Sequence, residues 1–247
     1  MSFDDTILTG LIFLAATLYS SVGHAGASGY LAAMALFGLA PDVMRPTALA
    51  LNILVGSLAV WRYTKAGRGD WRLLLPFVIG SVTAAFLGGL IHVPANYYKP
   101  LVGIVLLISA AQFLRSAKNA EAADQTAHRP PDWMALASGV GLGLLSGLTG
   151  TGGGIFLSPL LLFMGWSTTR NASGVAAVFI LCNSSAGLAG TAFSFGALPQ
   201  ALPYWAVAAL IGGLIGTRLG TKALPIPGLR VALALVLTIA GLKMLLA

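Results

Sequence analysis

Apolar residues run in long blocks along this chain, and polar residues fall between the blocks in short clusters. Apolar segments occupy about 6–22, 28–39, 46–63, 72–92 and 97–115. A polar stretch follows over about 116–132, with Lys118, Asn119, Glu121, Asp124, Gln125, His128, Arg129, Pro130 and Pro131. Its charges and closing prolines mark a linker, because proline interrupts helix. Apolar segments resume at about 134–149, 153–165, 172–193, 199–222 and 227–246. The pattern predicts an all-α polytopic membrane protein with about five helical segments on each side of the linker. Residues 1–115 are read as a first membrane repeat, 116–132 as a cytoplasmic linker, and 133–247 as a second repeat. A helix needs roughly 20 apolar residues to cross the hydrocarbon core. Segments 28–39 and 153–165 fall short of that, so they are expected to re-enter or to be half-helices.

The two halves share more than a segment count. In each, a short apolar segment runs into a Gly-rich break and then into another short segment. The first break is Ser20-Ser21-Val22-Gly23-His24-Ala25-Gly26-Ala27-Ser28-Gly29, and the second is Ser146-Gly147-Leu148-Thr149-Gly150-Thr151-Gly152-Gly153-Gly154. Arg45 and Arg170 then precede the third segment of each half. The fourth segments carry small residues four apart, Gly80, Ala84 and Gly88 against Gly212, Gly216 and Gly220. That spacing is expected where helices approach closely.

Loop charge orients the halves. Arg62, Lys65, Arg68 and Arg72 surround the loop after the third segment and place it in the cytoplasm. The matching loop at about 193–199 carries no charge and is placed outside. The 116–132 linker, and Arg218, Lys222 and Arg230 around the loop after the ninth segment, then fall inside. All assignments agree when the halves are inverted repeats with both termini outside, an arrangement found in many secondary transporters.

Composition agrees with the class. Of 247 residues, 57% are apolar and 9% are charged. A soluble domain carries about 25% charged residues. The net charge of +7 sits in short loops and does not point to nucleic acid. Cys182 is the single cysteine, which excludes an intramolecular disulfide or a Cys-based metal cluster and suits a small packing residue. The start, Met-Ser-Phe-Asp-Asp, is acidic where a secretory leader is basic. No cofactor or metal site is expected.

The breaks are the candidate site. Backbone at membrane depth must find partners inside the protein or in a water-filled cavity. Two corresponding breaks place freed N–H groups near a common centre, and helix N-termini there favour an anion. Candidate binding groups are Ser20, Ser21, His24, Ala27, Ser28, Thr149, Thr151, Gly152, Gly153, Gly154, Asn183 and Ser184. Arg45, Arg170 and Asn52 are candidates for an anion pathway. Each has a plainer reading: tight packing for the glycines, helix self-bonding for the hydroxyls, snorkelling to the interface for the arginines, interhelical bonding for the amides. His24, an ionisable group at membrane depth, carries a proton or donates to an anion, or is neutral and bonded to a carbonyl. No Asp or Glu lies well inside an apolar segment, which favours a neutral or anionic solute over a cation. Gly150 to Gly154 lacks the Gly-Lys-Ser/Thr ending of a phosphate-binding P-loop. An intramembrane protease is also excluded: Leu144-Leu145-Ser146-Gly147 lacks the first glycine of the rhomboid motif, no histidine follows His128, and no helix carries paired aspartates.

At the breaks the chain resembles the TauE/SafE family of sulfite exporters. The resemblance rests on Gly150-Thr151-Gly152-Gly153-Gly154 followed by Pro159, on the duplicated half, and on the Gly80/Gly88 and Gly212/Gly220 patterns, and it covers nearly the whole chain. It implies export of a small sulfur-containing anion, sulfite or an organosulfonate, often coupled to an ion gradient, in a bacterial inner membrane. The partners implied are that anion and the lipid bilayer. A small-anion channel is the alternative. The first half departs from the pattern: it lacks the triple glycine, and Ala33 stands where the second half has Pro159.

Overall fold

The structure, a computed structural model, describes residues 3–21, 23–118, 127–191, 198–221 and 227–246. The middle of the expected linker, 119–126, therefore lies outside the described residues, as does most of the loop near 193–199. Among the described residues every regular element is helical. In the first half these are α1 (Phe3–Ser21), α2 (Ala27–Leu36), α3 (Pro41–Lys65), α4 (Trp71–Leu90) and α5 (Ala95–Lys118). In the second they are α6 (Asp132–Thr149), α7 (Gly154–Phe163), α8 (Thr169–Thr191), α9 (Leu202–Thr221) and α10 (Pro227–Leu246). Local chemistry sets several ends. Pro41 opens α3 at a position where its missing N–H costs nothing. The Asp70 carboxylate caps α4, accepting from the Arg72 and Leu73 amides at 3.0 Å.

The two short segments are helices of 10 residues each, α2 and α7, each capped by a glycine of positive φ. Pro159 is the sixth residue of α7, and the sixth of α2 is Ala32. The residue matching Pro159 is therefore Ala32, one position earlier than the sequence comparison places it, because Gly26 and Gly153 set the helix starts.

Long helices pair in two ways. α6 lies along α4, and α1 along α9, each pair joining opposite halves. Gly139, Gly143 and Gly147 of α6 face the carbonyls of Phe77, Ser81 and Ala85, while Gly80 and Gly88 of α4 face those of Leu136 and Leu144. Gly212, Gly216 and Gly220 of α9 face the carbonyls of Phe13, Thr17 and Ser21. Residue numbers rise together along both contacts, so these pairs are parallel. The glycines repeat every four residues because one helix face must present bare backbone to its neighbour.

Counterpart helices meet in the opposite sense. Along α3 and α8, Gly56 lies against Leu181, Asn52 bonds Ser184, and Leu49 lies against Gly187. Along α5 and α10, Gly103 lies against Leu245 and Leu107 against Gly241. In both, one number rises as the other falls, so the helices run antiparallel. Arg62 and Arg68 donate to the carbonyls of Leu214 and Gly220 at 3.1 and 3.2 Å, which puts the α3–α4 loop beside the C-terminal end of α9. The basic α3–α4 loop and Arg218 thus share one end of the molecule, while Lys222 and the Arg230 side chain lie outside the described residues.

Large apolar side chains face outward along these helices. On α9, Val207, Ile211 and Ile215 repeat every four residues, and on α10 Leu235 and Ile239 do the same. Water would penalise so much exposed apolar surface, and lipid does not. Four described helical stretches are long and apolar enough to cross a membrane: Pro41–Lys65, Trp71–Leu90, Asn171–Thr191 and Leu202–Gly220.

Candidate functional site

Each break is a short turn forced by left-handed glycines. Gly23 and Gly26 have φ of 86° and 115° between α1 and α2, and Gly150, Gly152 and Gly153 have 84°, 76° and 74° between α6 and α7. Side chains disfavour this region, so glycine is required. In α2 the first intrahelical bond runs from the Tyr30 amide to the Gly26 carbonyl at 3.0 Å. The amides of Ala27, Ser28 and Gly29 lie ahead of it, at the positive end of the helix.

The breaks touch across the halves. His24 Nε2 donates to the Gly154 carbonyl at 3.1 Å, from the first break to the start of α7. A carbonyl only accepts, so this bond places a hydrogen on Nε2. The His24 ring also meets Tyr19 edge-on, with centroids 6.5 Å apart. Asn52 of α3 donates through Nδ2 to the Thr151 carbonyl at 3.4 Å and to the Ser184 hydroxyl at 3.2 Å. One side chain thereby joins the second break to α8.

A cavity lies between them. Its polar wall is Tyr19, His24, Ser28, Asn52 and Thr151, its turn is Ala25, Gly26 and Ala27, and its apolar side is Ile155 and Ile180. The space open to the centre of a water-sized sphere is ≈ 10 Å³. That is about enough for one water. A four-atom oxyanion needs the walls to move apart.

Of the residues singled out from sequence, His24, Ala27, Ser28, Asn52 and Thr151 are brought together at the cavity. Gly152, Gly153 and Gly154 form its neighbouring turn, and Ser184 steadies Asn52. The others are directed elsewhere. The Thr149 hydroxyl donates to the Leu145 carbonyl at 2.7 Å, which leaves Thr151 as the donor in the 3.0 Å contact between the two hydroxyls. Ser21 bonds within its own helix to the Leu18 carbonyl at 2.7 Å. The Ser20 carbonyl accepts from Tyr63 at 3.0 Å. Asn183 Nδ2 donates to the Phe179 carbonyl at 2.9 Å, and its Oδ1 is buried with no partner among the described residues. Arg45 neither lines the cavity nor reaches the interface. It is 1% exposed, and its guanidinium donates to the carbonyls of Gly88 and Ile91, closing the C-terminal end of α4. The Arg170 side chain lies outside the described residues.

Two features escaped the sequence reading. Tyr98 of α5 braces the second break by donating to the Thr149 carbonyl at 3.0 Å, a contact no local pattern signals. The third segments also share a legible motif, Asn-x-x-x-Gly, as Asn52 to Gly56 and Asn183 to Gly187. Its glycines face the partner helix, Gly56 against Leu181 and Gly187 against Leu49.

Outward apolar faces, helices of spanning length and interrupted helices meeting inside the bundle define a polytopic membrane protein. The chain belongs to the sulfite exporter TauE/SafE family, which it matches over residues 8–244. It is similar to the probable membrane transporter protein y4hK of Sinorhizobium fredii, 43% identical over 98% of this chain and 99% of that protein. It is also similar to the probable membrane transporter protein MJ0441 of Methanocaldococcus jannaschii, 27% identical over 100% of this chain and 98% of that one. The probable membrane transporter protein MamO of Paramagnetospirillum magneticum is 26% identical over 86% of this chain and 40% of its own length. No solved structure matches. The chain is a membrane transporter.

Proposed function

We propose that this protein is a secondary transporter that exports a small sulfur-containing anion, sulfite or an organosulfonate, by alternating access around the two glycine breaks. The observation that carries the reading is the cavity walled from both breaks, where the 3.1 Å bond from His24 to Gly154 ties one half to the other. Amides at the start of α2 and the Ser28 hydroxyl supply donors for anionic oxygens, and His24, whose Nε2 hydrogen is held by the Gly154 carbonyl, adds a donor at Nδ1 only when protonated. Antiparallel contact between counterpart helices supports an inverted relation of the halves. Arg62, Arg68 and Arg218 at one end support a cytoplasmic placement for that end, with both termini in the periplasm of a bacterial inner membrane and the 116–132 linker inside. Rocking of one half against the other opens the cavity to each side in turn. His24 is the group suited to proton coupling. No catalytic step is assigned to these residues.

Reconstitution into proteoliposomes tests this. Vesicles preloaded with unlabelled sulfite take up labelled sulfite in counterflow, and the rate saturates with concentration. Sulfate and a sulfonate serve as competitors. Absence of saturable flux for every one of these anions refutes the reading, and conductance that does not saturate favours a channel.

A further inference from the structure

Asn52 is 1% exposed and lines the cavity. Its Nδ2 is engaged by the Thr151 carbonyl and the Ser184 hydroxyl. Because a carbonyl cannot donate, the nitrogen must be the atom turned to Thr151, which fixes the orientation of the amide. Oδ1 is left as the outstanding group. It is fully buried and has no hydrogen-bond partner among the described residues. A buried acceptor in that state calls for a donor. On the rest of the polar wall the Thr151 hydroxyl and His24 Nε2 already donate, to Thr149 and to the Gly154 carbonyl, so donors for anionic oxygens come from the α2 amides and the Ser28 hydroxyl. Among the described residues no carboxylate, lysine or arginine lines the cavity, and its titratable groups are Tyr19 and His24.

We propose that the transported solute is a monoanion that keeps one hydroxyl hydrogen, and that Asn52 Oδ1 accepts this hydrogen. The proposal rests on the anion-transport reading above and narrows its substrate class. The charged oxygens face Ser28 and the α2 amides, and the single O–H faces Asn52. A dianion, or a monoanion without a hydrogen, leaves Oδ1 unpaired and sets it against a negative oxygen. Each solute that crosses carries its own proton. Passage of HA⁻ is equivalent to passage of A²⁻ with one H⁺, so a proton crosses with the anion without any carboxylate relay in the protein.

Two pairs of anions of matched shape test the idea on the purified, full-length protein at one mildly acidic pH. Bicarbonate and nitrate are planar, and bisulfite and chlorate are pyramidal; within each pair only the first carries a hydrogen. Calorimetric binding is expected to favour the hydrogen-bearing member by roughly 5- to 150-fold, the range for one buried acceptor satisfied or orphaned. Asn52→Ala is expected to bring both ratios close to one. Wild-type ratios near one with binding still saturable overturn the inference alone, and show that water satisfies Oδ1. So does an unchanged preference in Asn52→Ala, or saturable sulfite flux without binding of bicarbonate or bisulfite. If the variant does not fold, the wild-type ratios decide. Absence of both saturable binding and sulfite flux overturns the transport reading as well.

Discussion

Replacing Gly152 by alanine separates two costs that a glycine break combines. Gly152 has φ +76°, and a Cβ built there would lie 2.6 Å from Asn52 Nδ2 and 2.9 Å from Ser184 Oγ. Gly38, in the turn after α2, has nearly the same φ of +72°, and its Cβ would meet nothing within 4 Å. Both alanine variants incur the left-handed backbone penalty, about 1–2 kcal/mol. Only Gly152→Ala adds a collision. Ordinary van der Waals contact starts at 3.4 Å, so the Asn52 amide must retreat by about 0.8 Å. It then loses its bonds to Thr151 and Ser184, each worth about 0.5–1.5 kcal/mol net. Gly152→Ala is therefore expected to be about 1–3 kcal/mol less stable than Gly38→Ala. Denaturant unfolding of both variants in the same detergent measures the gap, and counterflow should fall only for Gly152→Ala. Equal destabilisation of the two variants would refute the claim that Gly152 is kept small for the sake of Asn52.

Helix contacts and the buried arginine yield further expectations. Gly143→Ala drives a Cβ into the Ser81 carbonyl across the α4–α6 contact and should destabilise by about 1–3 kcal/mol. Gly141→Ala, two residues away with nothing within 4 Å, should be neutral or stabilise by up to about 1 kcal/mol. Unfolding of this pair in one detergent checks both signs. Arg45→Ala leaves the Gly88 and Ile91 carbonyls without their charged donor and should cost about 1.5–3 kcal/mol per bond at most. Arg45→Lys should recover only part of that, because an ammonium lacks the planar fork that reaches both carbonyls. Thermal unfolding ranks the three proteins, and an unchanged midpoint for Arg45→Ala would contradict its role at the end of α4.

The membrane class, the helical segments and the two breaks were legible from sequence, because hydropathy and the conformations of glycine and proline act locally. Helix ends fell within a few residues of the apolar segments, and the four-residue glycine spacing marked faces that do pack. The site was legible only as a neighbourhood. Asn52 and Ser184 stand 132 residues apart, and His24 and Gly154 stand 130 apart. Nothing local states that they meet. Arg45 shows the same limit: its sequence position suits a pathway or an interface equally, and packing against α4 sends it to Gly88 and Ile91 instead. Sequence by itself determined that two interrupted helices lie in a bilayer-spanning chain. Only the tertiary structure decided which side chains join them, since partner choice depends on the register at which distant helix faces, cleared by glycine, come to rest against each other.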